Sequence, residues 1–237
     1  VTKEHNVPEN ETWENLWSSK IASSQSHERP NDVSLVIYNQ LSRHIRCNGL
    51  RTVELGAGTG SLSYVMLRDG QAAHVTLIDR SESAIEISRK LFHGSARVTW
   101  NREDFFEHQG HYDLVVSAGV LEHFGQVERK ALVDVHARLA DHVVIIVPAD
   151  TRWNRHRMAQ EQTMKLYGWQ EPMNAEEMTT LFESAGLRVV ACERFLPSYG
   201  FPGTGIRKVG RVIGWLAQRC LPSSAGGLLL CYGVRAT

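Results

Sequence analysis

Three glycines at alternating positions, Gly56, Gly58 and Gly60, follow an apolar run that carries one acid, Glu54, in the segment VELGAGTG. Glycine has no Cβ, so backbone there can take positive φ and approach a ligand closely. The run before the glycines reads as a buried strand, and SLSYVMLR after them reads as a helix. That helix would present unpaired N–H groups to whatever the turn holds. Strand, glycine turn and helix together make a cradle for a nucleotide-like ligand, with Ala57 inside the turn. A dinucleotide fingerprint, G-x-G-x-x-G, would put its third glycine where Ser61 stands. Gly60 comes one position early, and a carboxylate at Glu54 would repel a pyrophosphate. The same carboxylate suits a ligand with an ammonium or sulfonium group.

Further acids sit at the ends of later apolar runs. HVTLID closes on Asp79, with Arg80 beside it. The carboxyl edge of a neighbouring strand is where an acid can accept two ribose hydroxyls, and Ser81 reads as the cap of the following helix. RVTWN is followed by Glu103, Asp104 and Phe105. YDLVVSAGV leads into LEHF, with Glu122, His123 and Phe124. Taken in order, these motifs resemble those of class I S-adenosylmethionine-dependent methyltransferases of the small-molecule type. The resemblance covers residues 50–150 well and 174–195 more loosely. It implies that Glu54 and the backbone of Gly56, Ala57, Gly58 and Gly60 hold the methionine part. Asp79 would hold the ribose, with Arg80 beside it among the cofactor-binding residues, Asp104 would accept the adenine amino group, and Phe105 would flank the ring. Ser117 and Ala118 would offer backbone to the methionine amine. The implied cofactor is S-adenosylmethionine. The implied activity is methyl transfer to an O, N or C nucleophile of a small-molecule acceptor. A cofactor-binding scaffold without activity and a protein methyltransferase are the alternatives.

Methyl transfer from a sulfonium is an in-line displacement, so the protein must chiefly position donor and acceptor. A general base helps when the acceptor loses a proton. His123 is the leading candidate, since it follows the fourth strand and an unperturbed imidazole titrates near pH 6.5. The same residue serves equally as a packing or hydrogen-bonding group. Asp150, His156 and Tyr167 rank below it. Arg152, Arg155 and Arg157 could clamp an anionic group on the substrate, or simply solvate a helix face. The aromatics Trp13, Trp17, Trp153, Tyr167 and Tyr199 lie in additions around the core. With Arg152 they are the expected substrate-side residues.

Elements of alternating type must position these groups. Strands are expected over 51–55, 74–79, 97–101, 112–117 and 142–147, with helices over 60–68, 81–92 and 126–139. Strands alternating with helices imply a parallel sheet covered on both faces. Asn174, with Glu177 three residues on, reads as a capping box, and Gly186 as the stop of that helix. The resemblance implies a doubly wound α/β fold with a seven-stranded, mostly parallel sheet and an antiparallel last strand. N-terminal helices and insertions after strand 5 and between strands 6 and 7 would be added to it. The chain is therefore expected to be one domain, 1–237. Residues 1–48 would form N-terminal helices or a lid, 49–150 the cofactor-binding core, and 151–173 and 196–225 substrate-side insertions. An amphipathic helix is expected over 206–220.

Composition narrows the class. The 237 residues carry 26 basic and 26 acidic side chains. That balance argues against a nucleic-acid substrate, which favours a basic excess. Four cysteines show no paired metal-binding spacing, so no metal is expected. The histidines, including His108 and His111, read as solvated rather than metal-bound. No apolar run reaches membrane-spanning length. The expectation is a cytoplasmic enzyme of small-molecule biosynthesis without stable membrane insertion, its oligomeric state left open.

Overall fold

The computed structural model describes residues 10–22, 29–196 and 226–236. Two helices lead, α1 (Asn10–Ala22) and α2 (Asp32–Leu41). Alternation then begins: β1 (Arg51–Leu55), α3 (Ser61–Arg68), β2 (His74–Asp79), α4 (Glu82–Phe92), β3 (Val98–Arg102), β4 (Tyr112–Ala118), α5 (Gln126–Leu139) and β5 (Ala140–Pro148). Two short helices, α6 (Arg152–Met158) and α7 (Glu161–Tyr167), precede α8 (Ala175–Ser184), β6 (Leu187–Phe195) and β7 (Leu228–Arg235). The expected helix over 206–220, and Tyr199 with it, lie outside the described residues.

The strands form one sheet in the order β3-β2-β1-β4-β5-β7-β6. β1 to β5 pair in parallel, whereas β7 runs antiparallel to both β5 and β6. The seven-stranded, mostly parallel sheet expected from the motifs is the sheet observed. β5 exceeds its expected span at both ends. Its ladders to β4 and β7 extend pairing from Ala140 to Pro148.

Strand alternation sorts side chains to two faces. On β5, Val143, Ile145 and Val147 join the core with Leu132 and Val133 of α5 and Met178 and Phe182 of α8. Val144 and Ile146 join the other core, with Ile37 and Leu41 of α2, Met66 of α3 and Leu91 of α4. Both faces are covered, as a parallel sheet requires.

Caps follow local chemistry. Asn31 accepts from Ser34 N at 2.7 Å, and Ser81 accepts from Ala84 N at 3.1 Å. Asn174 accepts from Glu177 N at 2.9 Å. The expected capping box is only half made, because the Glu177 carboxylate goes to Arg129 instead, at 2.8 Å.

Gly60 precedes α3 at φ +68°, and a Cβ there would lie 2.4 Å from Leu77 Cδ2 and 3.0 Å from Phe92 Cε2. Its role is the close approach of α3 to β2 and α4. Left-handed backbone costs an L-residue roughly 1–2 kcal/mol, and overpacking adds to that. Gly60→Ala should therefore lower the unfolding free energy by about 2 kcal/mol or more. Urea denaturation of both proteins checks this, and matching midpoints would refute the packing role.

Candidate functional site

Between β1 and β4 the strand order reverses, which is where open α/β sheets hold ligands. A cavity of about 630 Å³ opens there. Glu54 and the turn from Gly56 to Thr59 line one side, and Asp79 and Arg80 from the end of β2 lie beside them. Phe105 and Phe106 follow from β3, and Ala118 to Val120 from β4. The far wall is built by Glu122, His123, Pro148, Arg157 and Tyr167, with Trp13 and Trp17 of α1 above.

Asp79 organises the near half. Its Oδ2 accepts the Gly58 N–H at 2.8 Å and its Oδ1 accepts the Ser81 N–H at 2.9 Å. Burial pushes the Asp79 carboxyl up from its ordinary range, and the two backbone donors oppose that shift. Gly58, at φ +53°, lies under α1, since a Cβ there would meet Trp17 Cζ2 at 2.9 Å. Gly56, at φ +64°, would meet Val120 Cγ2 at 2.6 Å. The turn can therefore be built only from glycine at these two positions.

Glu54 is buried at the end of β1, and its Oε2 accepts from Ser63 N at 3.0 Å and Ser63 Oγ at 2.6 Å. It thus ties β1 to the first turn of α3 while lining the cavity. Burial raises its carboxyl to about 7.

Several expected site residues stand elsewhere. Gly60 is absent from the cavity wall and serves packing. The Ser117 hydroxyl meets His136 Nε2 at 2.9 Å, so the part of this residue left for the expected contact is its backbone. Asp104 is also off the wall; it pairs with Arg80 and accepts from Phe106 N at 3.0 Å. Arg152 and Trp153 point outward on α6, where Trp153 is 39% exposed and stacks with His156. The inward stripe of α6 is Asn154, Arg157 and Met158, and Arg157 is the arginine that reaches the cavity. His108 is not solvated: it is buried between Glu103 and Tyr112, at 2.7 and 2.9 Å. Phe106, Val120 and Ile37 line the cavity without having carried a sequence signal beyond their apolarity.

A 3-10 turn, Leu121–His123, places the two polar groups of the far wall. His123 Nδ1 lies 3.1 Å from the Trp169 carbonyl. A carbonyl only accepts, so Nδ1 carries the hydrogen and Nε2 keeps its lone pair. Trp13 packs edge-on against the ring at 4.8 Å between centroids. Burial depresses the imidazole to about 4, so His123 is neutral at pH 7 and a weaker base than its type suggests. Glu122 is 3% exposed, and burial raises its carboxyl to about 7.

Known proteins were compared with this chain. A family model described as a methyltransferase domain matches residues 26–192. No curated protein sequence matches. Among solved structures, magnesium protoporphyrin IX methyltransferase from Synechocystis, with bound S-adenosylhomocysteine, is 16% identical. That match covers 95% of this chain and 94% of the other, with a TM-score of 0.61. A Thermotoga maritima protein described as a SAM-dependent methyltransferase, possible histamine N-methyltransferase, is 12% identical over 95% and 99% of the two chains, with a TM-score of 0.65. The mitomycin 7-O-methyltransferase is 22% identical over 86% of this chain and 54% of the other, with a TM-score of 0.58. At these identities the likeness is one of fold.

His136, fully buried behind the site, is held like His123: its Nδ1 donates to the Leu132 carbonyl at 2.7 Å, and burial depresses it to about 4. An unfolded histidine takes its proton near 6.5, so between pH 6.5 and 4 the unfolded chain binds more protons. The stability that His136 contributes is fully present above pH 6.5 and is lost as pH drops toward 4, by about 3 kcal/mol for such a shift. Glu54 and Glu122, raised to about 7, act with the opposite sign over this window, so the readout is a difference: in denaturant titrations the stability of wild type relative to His136→Gln should fall as pH drops from 6.5 to 4. An unchanged slope in the variant would show that His136 is protonated in the folded state.

Proposed function

The chain belongs to the methyltransferase-domain family, the class I enzymes whose methyl donor is S-adenosylmethionine, and from that premise we propose that it methylates a small-molecule acceptor. The observation that carries the reading is the cavity itself, whose lining sets the glycine turn, Asp79 and Phe105 beside Trp13, Tyr167, His123 and Glu122. Gly56, Ala57 and Gly58 bring the turn to the cavity wall where an amino-acid tail would lie, and Glu54 supplies a nearby carboxylate. Asp79, held by two backbone donors, has acceptor capacity left for two ribose hydroxyls. Phe105 offers an apolar face to the base. Asp104, engaged by Arg80 and Phe106, leaves the adenine edge to backbone and to Arg80.

Beyond the donor's methyl lie Trp13, Tyr167, His123 and Glu122 in this reading. Aromatic rings over a roofed chamber suit a small apolar or aromatic acceptor better than a protein side chain presented from bulk solvent. Residues 1–48 would act as the lid, since α1 carries Trp13 and Trp17 across the opening. The mitomycin and magnesium protoporphyrin methyltransferases named above are named for small-molecule acceptors, which supports this reading. Among the described residues no helix is long and apolar enough to cross a membrane.

Isothermal titration of S-adenosylhomocysteine into the full chain tests the donor half. Wild type should bind it, and Asp79→Ala should bind roughly 10- to 100-fold more weakly, the loss expected for a hydrogen bond to a charged group. Equal affinities would remove Asp79 from the ribose. Transfer of labelled methyl into small-molecule extracts separates an enzyme from a scaffold.

A further inference from the structure

We propose that the Glu122 carboxylate is the proton acceptor for the substrate, and that the substrate presents a hydroxyl. This rests on the methyl-transfer reading above and deepens its acceptor half.

Three carboxylates line the cavity walls deeply enough to be engaged in chemistry there, and two are already committed. Asp79 is held by Gly58 and Ser81, and Glu54 by Ser63. Glu122 differs. Its Oε2 is the one buried carboxylate oxygen without a hydrogen-bond partner among the described residues. An acceptor left unmade in the interior costs roughly 1–3 kcal/mol, so such an atom calls for an explanation, and one is a ligand that completes it. The position is rigid. The backbone carbonyl of Glu122 accepts from Glu171 N at 2.9 Å, and the turn is closed by His123 N donating to Val120 O at 3.1 Å.

The neighbouring groups decide the kind of acceptor. Arg129 of α5 and Arg157 of α6 act on Glu122 electrostatically and favour its ionised form. His123 beside it is neutral, and Glu128 and Tyr167 are the other titratable groups on the adjoining wall. A neutral amine could attack through its lone pair and shed its proton to water later, whereas a hydroxyl needs its proton taken as the new bond forms. A carboxyl raised by burial to about 7 is matched to that task near neutral pH, and His123, depressed to about 4, is not. In the step, the acceptor's O–H bond breaks as its O–CH3 bond forms. The proton goes to a Glu122 oxygen and the C–S electron pair leaves with sulfur. A carboxylate and a sulfonium thus become a carboxylic acid and a neutral sulfide.

The test uses the full chain saturated with S-adenosylhomocysteine, with phenol as the hydroxyl probe. Infrared difference spectra of wild type against Glu122→Gln should show a protonated-carboxyl band that disappears as pH rises through about 7. Phenol at millimolar concentration should shift that band in wild type. In a separate assay with methyl-labelled S-adenosylmethionine as donor and no S-adenosylhomocysteine, transfer to phenol should fall roughly 10²–10⁴-fold in Glu122→Gln, while binding of S-adenosylhomocysteine is retained. Glu122→Asp, which keeps the carboxyl, should retain a titrating band and part of the rate, and it replaces the glutamine variant if that one fails to fold. A band that is absent or unmoved by phenol, or equal transfer rates, overturns the proposal, as does a wild type that transfers nothing to phenol. Failure of wild type to bind S-adenosylhomocysteine would instead sink the methyl-transfer reading beneath it.

Discussion

One carboxylate ties the ligand-binding edge of the sheet together. Asp79 ends β2, yet its two oxygens are spent on backbone N–H groups of Gly58, in the turn after β1, and Ser81, at the head of α4. The Ala57 N–H also reaches across, to the Ile78 carbonyl at 3.0 Å. A turn at three positive φ values has little reason of its own to hold one shape. Anchored to β2 at two successive residues, it becomes a fixed wall. Burial works against the charge on Asp79, and the same two donors that shape the turn offset that penalty. The geometry of the wall and the ionisation of the acid are therefore one problem with one solution. A lone substitution there would disturb both.

The near half of the site was legible because its signals are local. β1 and β2 have the spans read from the sequence, and the caps at Asn31, Ser81 and Asn174 do what their residue types suggest. A side chain's surroundings are hidden from the sequence where its partner is distant in the chain. Gly60 has the spacing of a ligand-facing glycine, but Leu77 and Phe92 occupy the space a Cβ would need. Ser117 ends the right strand but faces His136 of α5. His108 sits in a polar, glycine-containing loop, and only the fold brings Tyr112 and Glu103 around it. The family pattern supplied the order of motifs; it could not say which side of a strand each side chain takes.

The far half was less legible for the same reason, applied to a whole segment. Residues 149–173 carry no strong periodicity, and long-range ties decide their course. Asn154 donates to the carbonyls of Ala149 and Gly227, at 2.7 and 2.8 Å, which fixes the inward face of α6. Arg129, 1% exposed, grips Glu171 at 2.9 Å and Glu177 at 2.8 Å. A buried guanidinium is costly unless its donors are met, so the loop before α8 must close over α5 to meet them. That closure places the Glu171 N–H on the Glu122 carbonyl and the Trp169 carbonyl on His123. The polar wall of the acceptor chamber is thus set by an arginine that never enters it. Reading the tryptophan of α6 as the functional residue was natural from its type, but Asn154 sets the stripe, and the stripe brings in Arg157.

α1 is held differently from the rest. Leu16 is buried, while Trp13 and Trp17 are only half-buried on the cavity. Much of its attachment is polar: Glu14 accepts from Ser81 Oγ at 2.7 Å and from both the backbone and the hydroxyl of Ser83. A carboxylate at the N-terminus of α4 is well placed for that helix's dipole. Hydrogen bonds of this kind contribute roughly 0.5–1.5 kcal/mol net, because water can replace them. The docked position of α1 therefore leans on what lies beneath its two indoles, which is the His123 ring and the Gly58 backbone. Any ligand that fills the chamber under those rings adds contact to them. By linkage, it then stabilises the docked helix by the same free energy that the docked helix adds to its own binding.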